Sequence, residues 1–346
     1  MSLINTRLLN FRADAPVDKN EQRASVYGAS ETFAAQTMES GSIISDDLLT
    51  KAMRSEGSTL EIPVIDALAT TVTNVTQPCV IVDNPATSQQ MAVTFVDYYF
   101  GFLIHPAKHF NNEISMQREF ETKLKSGLLA YKALTEGDAI TALEAAKTQI
   151  LTDTLGGRYS IVADIVTAPL AEQDAAVGDI NLLQMGNDFY GQMDIIGNPA
   201  FGSHVRNRLA EQGQYNDRDK SYQFTDKNIR FSNQVTNDVL HKATCFAVEK
   251  GSLGKLERFS ADCQLGNITH NHQWSIESMP MIGERFGTMS YDDCVDYSAT
   301  GAHTARLTST KVEAYGFHKS VAYVVAYNSD VATLASPIMK VGIAKV

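Results

Sequence analysis

At 346 residues the chain exceeds the roughly 250–300 at which one hydrophobic core stops growing, so two domains are expected. Its 44% apolar content supplies core material, while 29 Lys and Arg against 40 Asp and Glu leave a net charge of −11. No Lys/Arg-rich run occurs, which argues against a sequence-reading nucleic-acid binder, and no segment approaches the roughly 18 apolar residues of a membrane span.

Residues 1–41 form a polar arm with scattered apolar residues, among them Leu8, Leu9, Phe11 and Tyr27, and no sustained period. Such an arm cannot bury a core of its own, so burial against a neighbouring chain is expected. It lacks a continuous apolar h-region, so no secretory signal is expected. A short helix follows: Ser45 is a good N-cap, Asp46 and Asp47 suit the first turn, and Lys51 and Arg54 the last. Leu48, Leu49, Ala52 and Met53 make its apolar stripe, and Gly57 can close it. Two extended limbs then run from Ser58 to Ile104 around a turn-rich tip at Asp83–Ser88. Leu60, Ile62 and Val64 alternate on the first limb, where Pro63 argues against a central strand. The return limb carries Val96, Tyr98, Phe100, Phe102 and Ile104 on one face and Phe95, Tyr99 and Leu103 on the other, which predicts burial of its later half on both sides.

Asn111 or Asn112 can cap a helix that places Phe120, Leu124, Leu128 and Tyr131 on one side. Thr135–Asp138 interrupts the pattern, and a second helix carries Ile140, Leu143, Ala146 and Ile150. After Gly156-Gly157, helical patterns appear near Asp174–Asp188 and Pro199–Gln212, and short strands take over from Tyr222. Val321–Tyr327 and Ile338–Ile343 read as closing strands. Helices first and a sheet later imply an α+β chain with non-local strand pairing.

Candidate chemistry is sparse. His270 and His272 share one strand face, but HxH supplies two ligands where zinc needs three or four, so surface or interface histidines and no metal are expected. Asp292, Asp293 and Asp296 lack the alternation and glycine of a calcium loop and read as a solvated acidic turn. Trp274 reads as an aromatic buried in a sheet. Cys79, Cys245, Cys263 and Cys294 are isolated and read as reduced, mostly buried thiols. The chain contains no GxSxG, no GxxxxGK[ST] and no strand-borne GxGxxG, so no enzyme and no cofactor is nominated.

The order of polar arm, short capped helix and Pro-containing extended run resembles the start of major capsid proteins of tailed bacteriophages with the Hong Kong 97-like fold. The similarity continues through the helix after residue 110 and an α/β region ending at Tyr327-Asn-Ser-Asp330. This resemblance implies an α+β fold with peripheral and axial domains, an N-terminal arm and an extended β-hairpin loop. The implied division is arm 1–42, capped helix 43–57, extended loop 58–104, peripheral domain with a long spine helix 105–160, a mainly axial domain 161–330 and a closing strand 331–346. Leu8, Leu9, Phe11, Tyr27, Val82, Asn84 and Pro85 are the implied intersubunit contacts. The implied partners are other copies in hexamers and pentamers, a separate scaffold protein, a portal protein and decoration proteins, around DNA bound without sequence preference. The implied location is the virion, assembled in a bacterial cytoplasm. Some members of the family link subunits through a lysine in the extended loop; here no lysine lies between Lys51 and Lys108, so a non-covalent shell is expected. An encapsulin-like nanocompartment, or a cytosolic α+β enzyme whose site assembles only in three dimensions, are the alternatives.

Overall fold

The computed structural model describes residues 3–11, 27–39, 41–55, 57, 59–65, 88–109, 112–147, 154–162, 165–173, 175–187, 189–204, 214–216, 221–223, 227–266, 268–269, 272–297, 308–326 and 336–345. In chain order these form α1 (Leu3–Leu9), α2 (Gly28–Thr37), α3 (Asp46–Arg54), β1 (Thr59–Ile65), β2 (Ser88–Thr94), β3 (Val96–Ile104) and α4 (Glu113–Ala146). There follow β4 (Ser160–Val162), β5 (Ile165–Ala168), α5 (Ala176–Met185), β6 (Met193–Gly197), α6 (Pro199–His204), β7 (Gln214–Asn216), β8 (Ser221–Gln223) and β9 (Lys227–Phe231). The chain continues through β10 (His241–Glu249), β11 (Leu253–Arg258), α7 (Ala261–Leu265), β12 (Ile268–Thr269), β13 (His272–Ser278), β14 (Arg285–Tyr297), β15 (Thr308–Val325) and β16 (Ile338–Ala344).

Local chemistry accounts for several of these bounds. Ser45 Oγ accepts from Leu48 N at 3.3 Å and Asn112 Oδ1 accepts from Ser115 N at 3.2 Å, so α3 and α4 begin at their expected caps. α3 ends in an extended Ser55, not at Gly57. α4 is one continuous helix of 34 residues, in place of the interruption expected at Thr135–Asp138. The polar residues that suggest a break are satisfied where they stand. Thr135 Oγ1 donates back to Tyr131 O at 3.1 Å, and the Glu136 carboxylate accepts from the backbone of α2. The cost of about 1 kcal/mol for a helical glycine at Gly137 is small beside the core that α4 covers. Ile150 lies outside the described residues.

β1 and β2 pair from Thr59↔Thr94 to Ile65↔Ser88 as a separate two-stranded ribbon. β1 pairs with β2 alone in that ribbon, so Pro63 sits on an edge strand, as its missing N–H requires. The return limb is broken at Phe95: β2 stays in the ribbon, while β3 enters a six-stranded sheet beside β15. In that sheet β15 carries β3 along one edge, from Glu313 to Val321. Its other edge is shared end to end by β14, as far as His318, and β11, from Ser320 onward; β13 and β12 extend the sheet beyond β14. Tyr98, Phe100, Phe102 and Ile104 face α4, where Phe102, Phe120 and Tyr315 pack edge-on or tilted with ring centroids 4.9 to 5.6 Å apart. The opposite face of β3 is not buried as expected, for Tyr99 and Leu103 are exposed there. Phe95 is buried instead under α3, with Leu256, Ala322 and Val324.

The eight-stranded sheet runs β4-β5-β16-β10-β6-β9-β8-β7, with parallel pairs at β16–β5 and β6–β9. Its core joins Ile195, Cys245 and Val341 to Ile180, Leu183 and Phe201 from α5 and α6. Within 161–330, the span expected to be mainly axial, β5 to β10 lie in this sheet and β11 to β15 in the other with β3, against α4. The closing strand β16 is central to the eight-stranded sheet.

α2 fills the angle between the sheets. Its Phe33 is fully buried and meets Tyr323 edge-on at 4.8 Å. Its N-terminus has no side-chain cap of its own, and Glu136 of α4 supplies one, accepting from Ala29 N at 2.9 Å and Ser30 N at 2.7 Å. Gly28 lets the start of α2 lie against β9, because a Cβ there would lie 2.4 Å from Phe231 O. Gly28→Ala is expected to cost about 1–3 kcal/mol, the usual penalty for forcing an atom into a packed site, read as a lower urea midpoint at unchanged slope. A midpoint equal to the parent chain's would mean that α2 does not sit against β9.

Candidate functional site

The sequence-nominated contact residues divide by place. Leu8 and Phe11 pack partly buried against the core under α4, and Lys125 Nζ lies 5.4 Å from the Phe11 ring centre. Leu9 is exposed beside them. Tyr27 is buried within its own chain, bridged to Ser232 and donating its hydroxyl to Leu129 O at 3.4 Å. The expectation that the arm gains burial only against neighbours is thus corrected for Leu8, Phe11 and Tyr27. Each packs against segments of its own chain too distant in sequence for a local pattern to reveal. Val82, Asn84 and Pro85 lie outside the described residues.

Arg7 is the residue that fixes the first arm segment. Its Nη2 donates to Glu313 Oε2 at 2.8 Å, its Nε to the Tyr315 hydroxyl at 3.2 Å, and its Nη1 to Glu113. Tyr315 in turn donates to Glu313 Oε2 at 2.8 Å, and Gln117 Nε2 donates to Arg7 O at 3.0 Å. Burial alone would lower the guanidinium pKa, but the bonds to Glu313 and Tyr315 outweigh it and hold the cation charged. Ile4, one turn earlier, is buried among the same aromatic residues.

A second ionic group, a square of two lysines and two glutamates, closes the seam where β11 and β14 share the edge of β15. Lys319 Nζ lies 2.7 Å from Glu257 Oε1 and 2.7 Å from Glu284 Oε2; Lys255 Nζ lies 3.2 Å from the Oε1 of each. Tyr131 of α4 donates to Glu284 Oε2 at 3.0 Å. Both ammonium groups are buried, and Lys319 has no exposed side-chain surface. Desolvation raises the Glu284 pKa, but Lys255 and Lys319 reverse the effect and hold it down at about 2. Neither ionic group is visible in the sequence as a motif. The signal for the square is Lys319 standing in phase between Phe317 and Val321 on a buried strand face.

Above Lys255 and Glu257 a cleft of about 690 Å³ opens between α3, the segment from Met38 to Ser45, and β11. On the exposed face of the six-stranded sheet a smaller hollow of about 280 Å³ lies among Tyr99, Trp274, Met289 and His318, over Gly287 and Gly316. Trp274 is half-buried there and not in a core. His272 stacks on Tyr291 at 4.3 Å, and His270 lies outside the described residues. Cys263 and Cys245 are buried free thiols, each pushed up by desolvation. Asp292 sits in β14, not in a turn, and pairs with Lys311 at 3.4 Å. Among the described residues no three His, Cys, Asp or Glu side chains converge as metal ligands.

No family model and no curated protein sequence matches the chain. The fold is similar to that of a chain in the cyanophage A-1(L) capsid asymmetric unit, with a TM-score of 0.51 and 10% identity over 97% of this chain and 96% of that one. A chain of the cyanophage P-SCSP1u capsid aligns at 0.43 with 10% identity over 84% of this chain and 85% of that one. A chain from Mycobacterium phage Cain aligns at 0.45 with 12% identity over 89% of this chain and 96% of that one. The chain has the α+β, Hong Kong 97-like fold of phage capsid subunits.

Lys319→Met is expected to destabilise the chain by about 3–5 kcal/mol, because it leaves two carboxylates facing one buried ammonium. Equilibrium unfolding reads it, and a change under 1 kcal/mol would mean that the square is solvated. The depressed Glu284 pKa contributes stability that is fully present above its unfolded value of roughly 4.3 and is lost as pH falls toward about 2. The stability difference between the parent chain and Glu284→Gln should therefore shrink between about pH 4.5 and 2; a constant difference would refute the linkage.

Proposed function

We propose that this chain is the major capsid subunit of a tailed bacteriophage, self-assembling into an icosahedral shell around a double-stranded DNA genome. The observation that carries the reading is the fold shared end to end with a subunit of the cyanophage A-1(L) capsid. The net charge of −11 suits a container that must not adhere to its cargo. In this reading the six-stranded sheet and α4 are the peripheral domain, the eight-stranded sheet the axial domain, and the ribbon of β1 and β2 the base of the extended loop.

Contacts between copies would come from the arm, through Leu9 and the edges of Leu8 and Phe11, and from the loop, through Val82, Asn84 and Pro85. Tyr27, buried in its own chain, would position the arm instead of meeting a neighbour. Copies would form hexamers and pentamers in which many individually weak contacts act together. A separate scaffold, a portal and decoration proteins are the further partners, the site of assembly is a bacterial cytoplasm, and the mature location is the virion. The interval from Lys51 to Lys108 offers no loop lysine for covalent linkage, so the shell is held non-covalently and works as a structure, not as an enzyme.

Negative-stain images of purified protein test this directly. Closed megadalton shells that dissolve to a single band near 38 kDa in hot detergent are expected. A monomer or dimer at every concentration would sink the shell reading, and particles filled with protein cargo would favour the encapsulin-like alternative. Replacing residues 66–87 with a short Gly-containing turn between Ile65 and Ser88 should change subunit melting little and abolish shells. Normal shells from the shortened chain would remove the loop from the interface.

A further inference from the structure

We infer that the outer face of the six-stranded sheet carries a nucleotide site: an aromatic hollow that takes the base, and an adjoining arginine cleft that takes the phosphate. The inference concerns a single chain and does not depend on the shell reading.

The base half is built by β3, β13, β14 and β15. Tyr99, Trp274 and Met289 stand on the face away from α4, with Gly101, Gly287 and Gly316 among them. The glycines let Tyr99 lie down: a Cβ at Gly101 would meet the Tyr99 hydroxyl at 2.6 Å, and one at Gly316 would meet its ring at 3.4 Å. Tyr99 is nonetheless 68% exposed, so the ring rests on the sheet with one face open. A tyrosine held in that way adds little to its own core and is what a stacking platform needs. The hollow beside it, about 280 Å³, is bordered by Trp274 and Met289 and has room for one planar base.

The phosphate half is a cleft of about 460 Å³ that shares Ser260 and His318 with the hollow. Arg54, at the end of α3, and Arg258, at the end of β11, line it with the hydroxyls of Ser55 and Ser320. Arg258 is positioned in advance: it donates to Gly57 O, and its guanidinium lies 4.7 Å from the Phe95 ring centre. Arg54 is exposed at the mouth. Asp97 also faces the cleft, but it accepts from the Ser320 hydroxyl and lies 3.8 Å from Arg258 Nη2, so two guanidinium groups stand against one carboxylate. Two such forks suit an anion with several oxygens. Burial holds the His318 imidazole below its usual pKa, so between the halves it offers a hydrogen-bonding edge without a charge.

The polar rim of the hollow selects the ring. Asp262 and Ser260 line it, and a carboxylate at the edge of an aromatic site suits a ring that presents N–H donors. Guanine presents two adjacent donors on one edge; a phenyl ring presents none. Ring, edge donors and phosphate together are the chemistry of a guanine nucleotide, free or as one unstacked unit of a single strand. With a net charge of −11 the chain draws in no polyanion at long range, so binding rests on these local contacts.

Trp274 is the only tryptophan of the chain, so its fluorescence reports on the hollow. Titrating the purified full chain with guanosine 5′-monophosphate should give saturable quenching, and none up to about 10 mM would overturn the site. Guanosine without the phosphate should bind more than about tenfold more weakly, and Arg54→Gln should lose a similar factor for the monophosphate at an unchanged melting temperature. Tyr99→Ala should weaken binding about tenfold and Tyr99→Phe should restore it, because stacking needs the ring and not the hydroxyl. Guanosine binding as tightly as its monophosphate, or parent affinity in either Arg54→Gln or Tyr99→Ala, would overturn the proposal. Equal binding of an acetylated dipeptide ending in phenylalanine, which also joins a ring to an anion, would overturn it too. A single-stranded, guanine-containing DNA of about ten nucleotides separates the two sources. Tighter binding than the monophosphate, falling steeply with salt, assigns the site to a strand; equal or weaker binding assigns it to the free nucleotide.

Discussion

One side-chain amide touches both sheets. Gln36 Nε2 donates to Asp194 Oδ2 in β6 at 3.0 Å, and Gln36 Oε1 accepts from Leu253 N in β11 at 3.1 Å. Asp194 also accepts from Asn228 of β9 at 3.1 Å, and the neighbouring Thr37 hydroxyl accepts from Lys255 N at 2.7 Å. The backbone already links the sheets through the short turn from β10 to β11, but a turn constrains distance better than angle. α2 constrains the angle. With Glu136 capping one end and Gln36 pinning the other, the helix is held at both termini by elements of the surrounding core. Buried polar groups of this kind are stabilising only when all are satisfied, so the wedge fits one relative placement of the sheets.

The Lys–Glu square secures the same joint by a different means. Ionic groups taken out of water give little net stability over a well-packed apolar set, so their value at this seam lies in what they disallow. β15 alternates its side chains between a face under α4 and a face under α3. A slip of one residue between β11 and β15 would carry Lys319 away from Glu257 and Glu284 to the α3 side, among Leu256, Ala322 and Val324. The register in which Lys319 reaches both Glu257 and Glu284 is thereby favoured over its neighbours. That matters most here, because β11 and β14 abut along one edge and neither continues into the other.

The parts of this arrangement that are legible in the sequence are those set by neighbours within a few residues. Ser45 and Asn112 announce their helices because a cap is a local bond, and Ile338–Ile343 reads as a strand because apolar residues flank Lys340 on both faces. The continuity of α4 through Thr135–Asp138 is not legible, since the partner that makes Glu136 tolerable is the backbone of Ala29 and Ser30, more than a hundred residues earlier. The same distance hides the anchoring of the arm. Its apolar residues have no helical period because α1 and α2 each contribute only a few side chains to cores built by other segments. Tyr99 shows the converse error: alternation in β3 says that two faces exist, not that both are covered.

Thr167, His241 and Asp238 form the constellation in this chain that most resembles reactive chemistry. The Thr167 hydroxyl lies 2.8 Å from His241 Nε2, and His241 Nδ1 lies 2.7 Å from Asp238 Oδ1, the order of a hydroxyl, imidazole and carboxylate relay. Its surroundings give it a different task. Thr167 Oγ1 is also within 3.2 Å of Ile165 O in its own strand, and Asp238 Oδ1 accepts from Leu240 N and His241 N, both at 2.8 Å. His241 is 1% exposed, packed over Gly342 in the pair of β10 and β16. Those bonds hold the loop before β10 against β5, across the intervening β16, and so fix the start of the strand whose other end leads into β11. The chain of contacts thus runs from one edge region of the eight-stranded sheet through β10 to the seam that the square closes. Residues that in an open cleft would do chemistry here hold one edge region of the eight-stranded sheet together.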